Sequence, residues 1–371
     1  LCARVLGEYP VCSIALCTFA RVLSRTRSGS LMQRETVAME TPAMRATSLM
    51  ETVLKFSFRV NWCKIVNVYN FCRQIAMNDT AKFPIKTSVL QAEDGLSIKL
   101  LNYGAALQSI LVPTSKGPVE VLLGYPDAEQ YLDDPFCMGG TVGRYAGRID
   151  SGRMTLGDRE YQLDRNDSEH GHCLHGGAGG FHKRDWLVDE DPNSNAVLYR
   201  IDSPDGDQGF PGNLKVTTRY SLVSAMVLQI DYFAEADSDT VINLTNHAYF
   251  NLNGDGSGIG NHEVWINSEL YLPMTPNMLP TGNIANVNGT VFDFRSKVAL
   301  AERLAQPAPQ LENAGGFDHF FLLNKAMKYP AIASSVASPQ TGIRLKYYSS
   351  RTGVQCYTGT SLAAPIENHN G

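Results

Sequence analysis

From about residue 83 onward, apolar and polar positions alternate in short runs broken by turn residues. Ser97–Leu101, Leu107–Val112, Val119–Leu123, Val197–Ile201, Leu214–Leu222, Met226–Phe233 and Val241–Leu252 each read as strands. Successive side chains of an extended chain point to opposite faces, so such runs give a buried face and a wet one. Between them stand Asp94-Gly95, Lys116-Gly117, Pro204-Asp205-Gly206 and Asn253-Gly254, pairs that supply the positive φ tight hairpins need. Helical periodicity is scarce; Val298–Leu304 is the best candidate, and it is short. No internal repeat of roughly 20–50 residues is present, which sets aside a propeller or solenoid. Many strands and few helices predict an all-β domain, a large antiparallel sandwich or barrel.

Composition adds a boundary. Of 371 residues, 43% are hydrophobic and 19% charged, enough to build a large core. Residues 1–76 hold ten Lys/Arg, four Glu and no Asp, a charge of +6, which leaves −11 for residues 77–371. Gly7 and Gly29 are the only glycines before residue 77, and thirty follow it. The two shifts coincide, so the chain divides near Met77 into an extension, 1–76, disordered or artefactual, and a domain, 77–371. The arginines of the extension, among serines and few acids, also resemble a targeting segment. Its apolar run Val11–Ala20 is too short to cross a bilayer. The net charge of −5 argues against nucleic acid or an anionic membrane as partner. Cys137, Cys173 and Cys356 are widely separated in the body and the other five cysteines precede it. That spacing is neither a disulfide framework nor a zinc ribbon, and it points to a reducing, cytoplasmic setting.

Five segments carry candidate chemistry. In Asn243-Leu-Thr-Asn-His-Ala-Tyr-Phe-Asn-Leu252, a period of two puts Asn243, Thr245, His247, Tyr249 and Asn251 on one face. Such a face suits a sugar, and equally an exposed polar sheet surface. Cys173-Leu-His-Gly-Gly177, followed by Gly180-Phe181 and Trp186, sets His175 beside glycines that let backbone approach a ligand. His170, His172 and His175 together resemble a metal tract, but a glycine-rich loop lacks the rigid ligand spacing zinc favours; His170 and His172 read as solvated loop residues. Gly140-Thr-Val-Gly-Arg-Tyr-Ala-Gly-Arg-Ile149 offers two arginines four apart that can fork onto hydroxyls or carboxylates. Gly315-Gly-Phe-Asp-His-Phe-Phe321 places Asp318 among aromatics, either a ligand or a turn cap. Gly353-Val-Gln-Cys-Tyr-Thr-Gly359 offers Gln355.

In this order, GRYAGRI, LHGG…GF…W, NLTNHAYFNL, GGFDHFF and GVQCYTG resemble the successive signatures of the aldose 1-epimerase (galactose mutarotase) family, from about Phe83 to Gly359. The resemblance implies one large antiparallel β-sandwich of the galactose mutarotase-like supersandwich kind. It implies interconversion of the α and β anomers of aldohexoses such as galactose and glucose, with no metal and no cofactor. On the matching positions, His247 is the catalytic general acid and His175 the second catalytic histidine. Arg148, Asp318 and Gln355 are sugar ligands, and Arg144 is structural. Histidine suits proton transfer because its pKa lies near working pH. Polyol hydroxyls, which donate and accept, suit the carboxylate, amide and guanidinium groups.

Two departures accompany the match. Gly147 stands where many members have asparagine, which removes a sugar hydrogen bond worth about 1 kcal/mol. The family's catalytic glutamate is expected on a strand downstream of GVQCYTG, and the chain ends at Gly371 before it; Glu367 lies in a loop context. The expectation is a C-terminally truncated fragment lacking its base. The alternative is a non-catalytic carbohydrate-binding or sensing protein on the same fold. An epimerase for phosphorylated hexoses lacks a phosphate-binding cluster here, and a metalloenzyme on the histidine tract ranks last.

Overall fold

Alternation is realised most fully in Leu214–Ser224 and Val227–Ala236, an antiparallel hairpin in register from Leu214 opposite Ala236 to Leu222 opposite Leu228. Leu214, Val216, Thr218 and Tyr220 point inward while Lys215, Thr217 and Arg219 point out, the pattern of a sheet with one buried face. The computed structural model describes residues 14–17, 30–38, 84–191, 194–324 and 330–362. The chain divides into two units. One combines Leu1–Glu40 with Ile85–Gly371; of the other, Thr41–Pro84, only Pro84 is described.

The larger unit is antiparallel β throughout its named strand pairs. A nine-stranded sheet runs, in spatial order, through Leu187–Asp191, Ala196–Ser203, Leu214–Ser224, Val227–Ala236, Ser30–Ala38, Arg344–Ser349, Ala331–Ala337, Glu263–Ile266 and Val298–Ala299. A seven-stranded sheet runs through Ala285–Asn286, Ser268–Leu272, Asp318–Leu323, Gly353–Tyr357, Ile14–Cys17, Tyr249–Phe250 and Leu122–Leu123. Four further strands, Thr87–Gln91 to Val119–Glu120, form a meander. Inward residues of all three sheets, among them Ile98, Tyr220, Ile230, Val264, Phe321 and Leu345, meet in one continuous apolar cluster. Burial of this apolar surface is the main term holding the sheets together.

Of the expected helix Val298–Leu304, residues Leu300–Leu304 are α-helical. A second short helix, Pro309–Ala314, was not anticipated. It begins on a proline whose missing N–H costs nothing at that position and stops at Gly315, whose φ of 68° ends helices.

Two findings differ from the sequence reading. Val241–Leu252 is not one strand. Only Thr245–Asn246 and Tyr249–Phe250 pair in ladders, and the stretch is buried throughout. Its polar side chains are spent inside the protein. Asn243 Nδ2 donates to Ala146 O, Asn246 Nδ2 to Gly139 O and Asn251 Nδ2 to Ser257 O. The leading stretch, for its part, contributes two strands to the body. Ile14–Cys17 lies between Tyr249–Phe250 and Gly353–Tyr357, and Ser30–Ala38 between Val227–Ala236 and Arg344–Ser349. Strand pairing uses backbone groups, which any sequence of extended propensity can present. Met77 and Glu367 lie outside the described residues.

Candidate active site

Arg148-Ile149 and Cys173-Leu174 form a two-stranded ladder in which Arg148 is opposite Leu174, so the GRYAGRI and LHGG segments are laid side by side. The turn that follows holds His175 at a φ of 55° and Gly176 at 88°. A Cβ on Gly176 would stand 1.9 Å from Gly143 O, so only glycine fits beside the histidine. His175 is fixed twice by Gly147: its backbone N–H donates to Gly147 O, and its Nδ1 accepts the Gly147 N–H at 3.1 Å. A ring nitrogen that accepts carries no proton, so the proton of the neutral ring is on Nε2. The asparagine segment docks on the same turn, since Ala146 N–H donates to Asn243 O and Asn243 N–H to Arg144 O.

These connections bring His247 against His175. Their ring centroids are 5.3 Å apart in an edge-to-face contact, and the His247 ring also meets Tyr249 at 5.0 Å and Tyr357 at 6.5 Å. Burial pulls the His247 imidazole down to about 4. It pulls His175 well below the ordinary histidine range too, with the neighbouring His247, His182 and Arg148 adding to the effect. Both rings are therefore neutral at pH 7.

The remaining predicted residues come from two paired strands. Asp318 faces Tyr357 and Phe320 faces Gln355 across the ladder. Asp318, Phe320, Gln355 and Tyr357 share the partly open face, while His319, Phe321, Val354 and Cys356 are buried on the other. Gln355 Nε2 donates to Asp318 Oδ1 at 2.6 Å. Burial raises the Asp318 carboxyl, and the Arg148 charge and the Gln355 donor oppose that rise. The strand pair joins the histidines through Tyr357, and Arg148 through its charge on Asp318. His247 thus contacts His175, Gln355 is bonded to Asp318, and Arg148 lies within electrostatic reach of both His175 and Asp318.

Two observations were not legible beforehand. Arg148 Nε donates to Asp167 Oδ2 at 2.8 Å, a carboxylate that no spacing signal had marked. His172 is buried rather than solvated, its Nδ1 accepting the Ser151 N–H, and its ring stacks on His170 at 6.1 Å. Among the described residues no group of three His, Cys, Asp or Glu is placed to hold a metal ion.

Arg144 is 2% exposed, and its guanidinium donates to Ser203 Oγ, Ser203 O, Pro204 O and Pro211 O at 2.7–2.8 Å. Burial lowers it to about 10, with Asp207 opposing, so it stays charged at neutral pH. Four acceptors would lose their donors in Arg144→Met, an expected loss of about 3–5 kcal/mol. A urea midpoint giving a loss below about 1 kcal/mol would show that water replaces the guanidinium.

The family model described as aldose 1-epimerase matches residues 86–371. The chain is 37% identical over 281 residues to the aldose 1-epimerase of Escherichia coli K12, covering 75% of this chain and 80% of that protein. It is 39% identical over 280 residues to the galactose mutarotase of Mus musculus, covering 75% and 79%. Among solved structures, a galactose 1-epimerase from Lactobacillus acidophilus NCFM superposes with a TM-score of 0.59 at 25% identity, covering 76% of this chain and 97% of that one. An aldose epimerase homologue from C. elegans gives a TM-score of 0.64 at 24% identity, covering 74% and 89%.

Proposed function

We propose that this chain, which belongs to the aldose 1-epimerase family, is an isomerase that interconverts the α and β anomers of an aldohexose such as galactose or glucose. The observation that carries the reading is the edge-to-face pair of neutral histidines, buried His247 and half-buried His175, 5.3 Å apart, with Arg148 beside them. In ring opening solvent water acts as the base that takes the proton of the anomeric hydroxyl, the bond from the anomeric carbon to the ring oxygen breaks, and a carbonyl forms. His247 protonates the departing ring oxygen. A neutral imidazole can serve an oxygen whose negative charge is growing. Rotation of the carbonyl end and the reverse transfers close the ring on the other face.

His175, with its proton on Nε2, is a donor toward the ring oxygen region. Arg148, Asp318 and Gln355 take the other hydroxyls. Asp318 already accepts from Gln355, so it is assigned to a sugar hydroxyl and not to the anomeric proton. The second reading, a carbohydrate-binding protein, uses the same ligands without proton transfer.

The deciding experiment is the optical rotation of freshly dissolved α-galactose, followed with and without the chain. Faster approach to equilibrium, in proportion to protein, supports the isomerase. Galactose uptake by calorimetry with an unchanged rate would leave the binding protein as the better reading.

A further inference from the structure

We infer that Asp167 is the positioning residue of the sugar-binding arginine: it holds Arg148 through Nε and leaves Nη1 and Nη2 as a pair of donors for adjacent hydroxyls. The inference rests on the reading of Arg148 as a sugar ligand. The geometry is specific. Nε donates to Asp167 Oδ2 at 2.8 Å, and no acceptor for Nη1 or Nη2 is found among the described residues. Guanidinium is planar, so fixing Nε fixes the directions of both remaining nitrogens.

Arg148 lies within electrostatic reach of two carboxyls, Asp167 and Asp318. Pairing with Asp318 would bind the arginine to the other ligand of the same site and leave neither for the sugar. Asp167 is built to win this competition. Its side chain is 7% exposed, and it accepts from the His170 backbone N–H at 3.3 Å and faces His170 Nδ1 at 3.2 Å. An ionised carboxylate only accepts, so Nδ1 is the donor. The loop closes on itself, with Asp167 N–H donating to His172 O and Gly171 N–H to Asp167 O. Burial alone would raise the carboxyl; Arg148 and His170 more than offset it, and the group is held below its ordinary range. Asp167 is thus an ionised, pre-fixed acceptor, while Asp318 is left to Gln355 and the substrate.

The test is galactose affinity by calorimetry on the full chain and on Asp167→Ala, Asp167→Asn, Arg148→Ala and the double variant Asp167→Ala/Arg148→Ala. Asp167→Ala is expected to weaken binding about tenfold, the worth of a charge-assisted hydrogen bond. Asp167→Asn, which keeps shape and one acceptor oxygen, recovers part of that loss; its melting curve checks that the loop still folds. In the Arg148→Ala background the Asp167→Ala change costs nothing further. Equal weakening with and without Arg148 would overturn the inference and assign Asp167 to the loop alone, as would unchanged affinity in Asp167→Ala. Arg148→Ala with parental affinity, or no galactose uptake by the parent, would instead remove the sugar-ligand reading on which the inference stands.

Discussion

Replacing His247 by alanine is expected to lower kcat for mutarotation by about 10²–10⁴, the usual worth of a positioned acid, with KM moved far less. The ring is held on several sides: the histidine backbone N–H donates to Gly140 O, its carbonyl accepts from Gly139, and its imidazole touches His175, Tyr249 and Tyr357. Truncation to alanine opens a cavity, so His247→Gln is the cleaner variant; it fills the space and donates hydrogen bonds but transfers no proton at this pH. Burial holds the His247 imidazole near 4 in the free protein. The rate should therefore be level between about pH 6 and 8, without a step at the ordinary histidine value near 6.5. His175→Ala, in contrast, should act mainly on KM, since that ring is locked as a donor by Gly147. A His247→Gln enzyme keeping more than about a tenth of the parental kcat would remove His247 from the proton path.

The β character of the chain was legible because alternation is a local property. Leu214–Leu222 and Met226–Phe233 are close to the strands Leu214–Ser224 and Val227–Ala236. The same rule misread Val241–Leu252, because period two describes a strand with one wet face. There the polar groups bond to loops far along the chain, as when Asn246 meets Gly139 and Tyr220. Such long-range partners cannot be read from spacing.

His247 meets His175, Gln355 meets Asp318 and Arg148 acts by charge on His175 and Asp318, and these connections were hidden for a similar reason. Gly147, next to Arg148, is fastened to His175 by one backbone hydrogen bond and by its N–H donated to the His175 ring, links to which a sequence pattern is blind. Asp167 was hidden because a single aspartate in a polar loop resembles any solvated charge. Only its pairing with Arg148, nineteen residues upstream, marks it.

Acid should unfold this protein well above the range where carboxylates titrate. His247, His262 and His319 are held near 4, His182 near 3 and His175 well below its ordinary range, in each case chiefly by burial, against an ordinary value of 6.5. Geometry explains why three of them resist a proton, His175 among them because its Nδ1 accepts the Gly147 N–H. His262 Nε2 accepts the Leu252 N–H at 2.9 Å and His319 Nδ1 the Asp318 N–H at 3.2 Å, bonds that a protonated nitrogen would turn into repulsion. The unfolded chain binds protons at these histidines below pH 6.5 and the folded chain does not. Their stabilisation is thus complete above 6.5 and is lost as pH falls towards 4. Each group removes about 1.4 kcal/mol per pH unit in that window, and the five together up to about 7 kcal/mol per unit. Asp134, Asp185 and Asp318, raised by burial, act in the opposite sense because the folded state takes up their protons first, but they begin from an unfolded value of 3.8 and number three against five. Against a typical total of 5–15 kcal/mol, the melting temperature at pH 5 is expected to lie more than about 10 °C below that at pH 7.5. His262→Gln, whose amide oxygen can accept from Leu252 without titrating, should flatten the slope by roughly a fifth, its share among the five. Coincident melts at the two pH values would mean that these rings carry protons in the folded protein, and the neutral-imidazole account of His247 would fall with them.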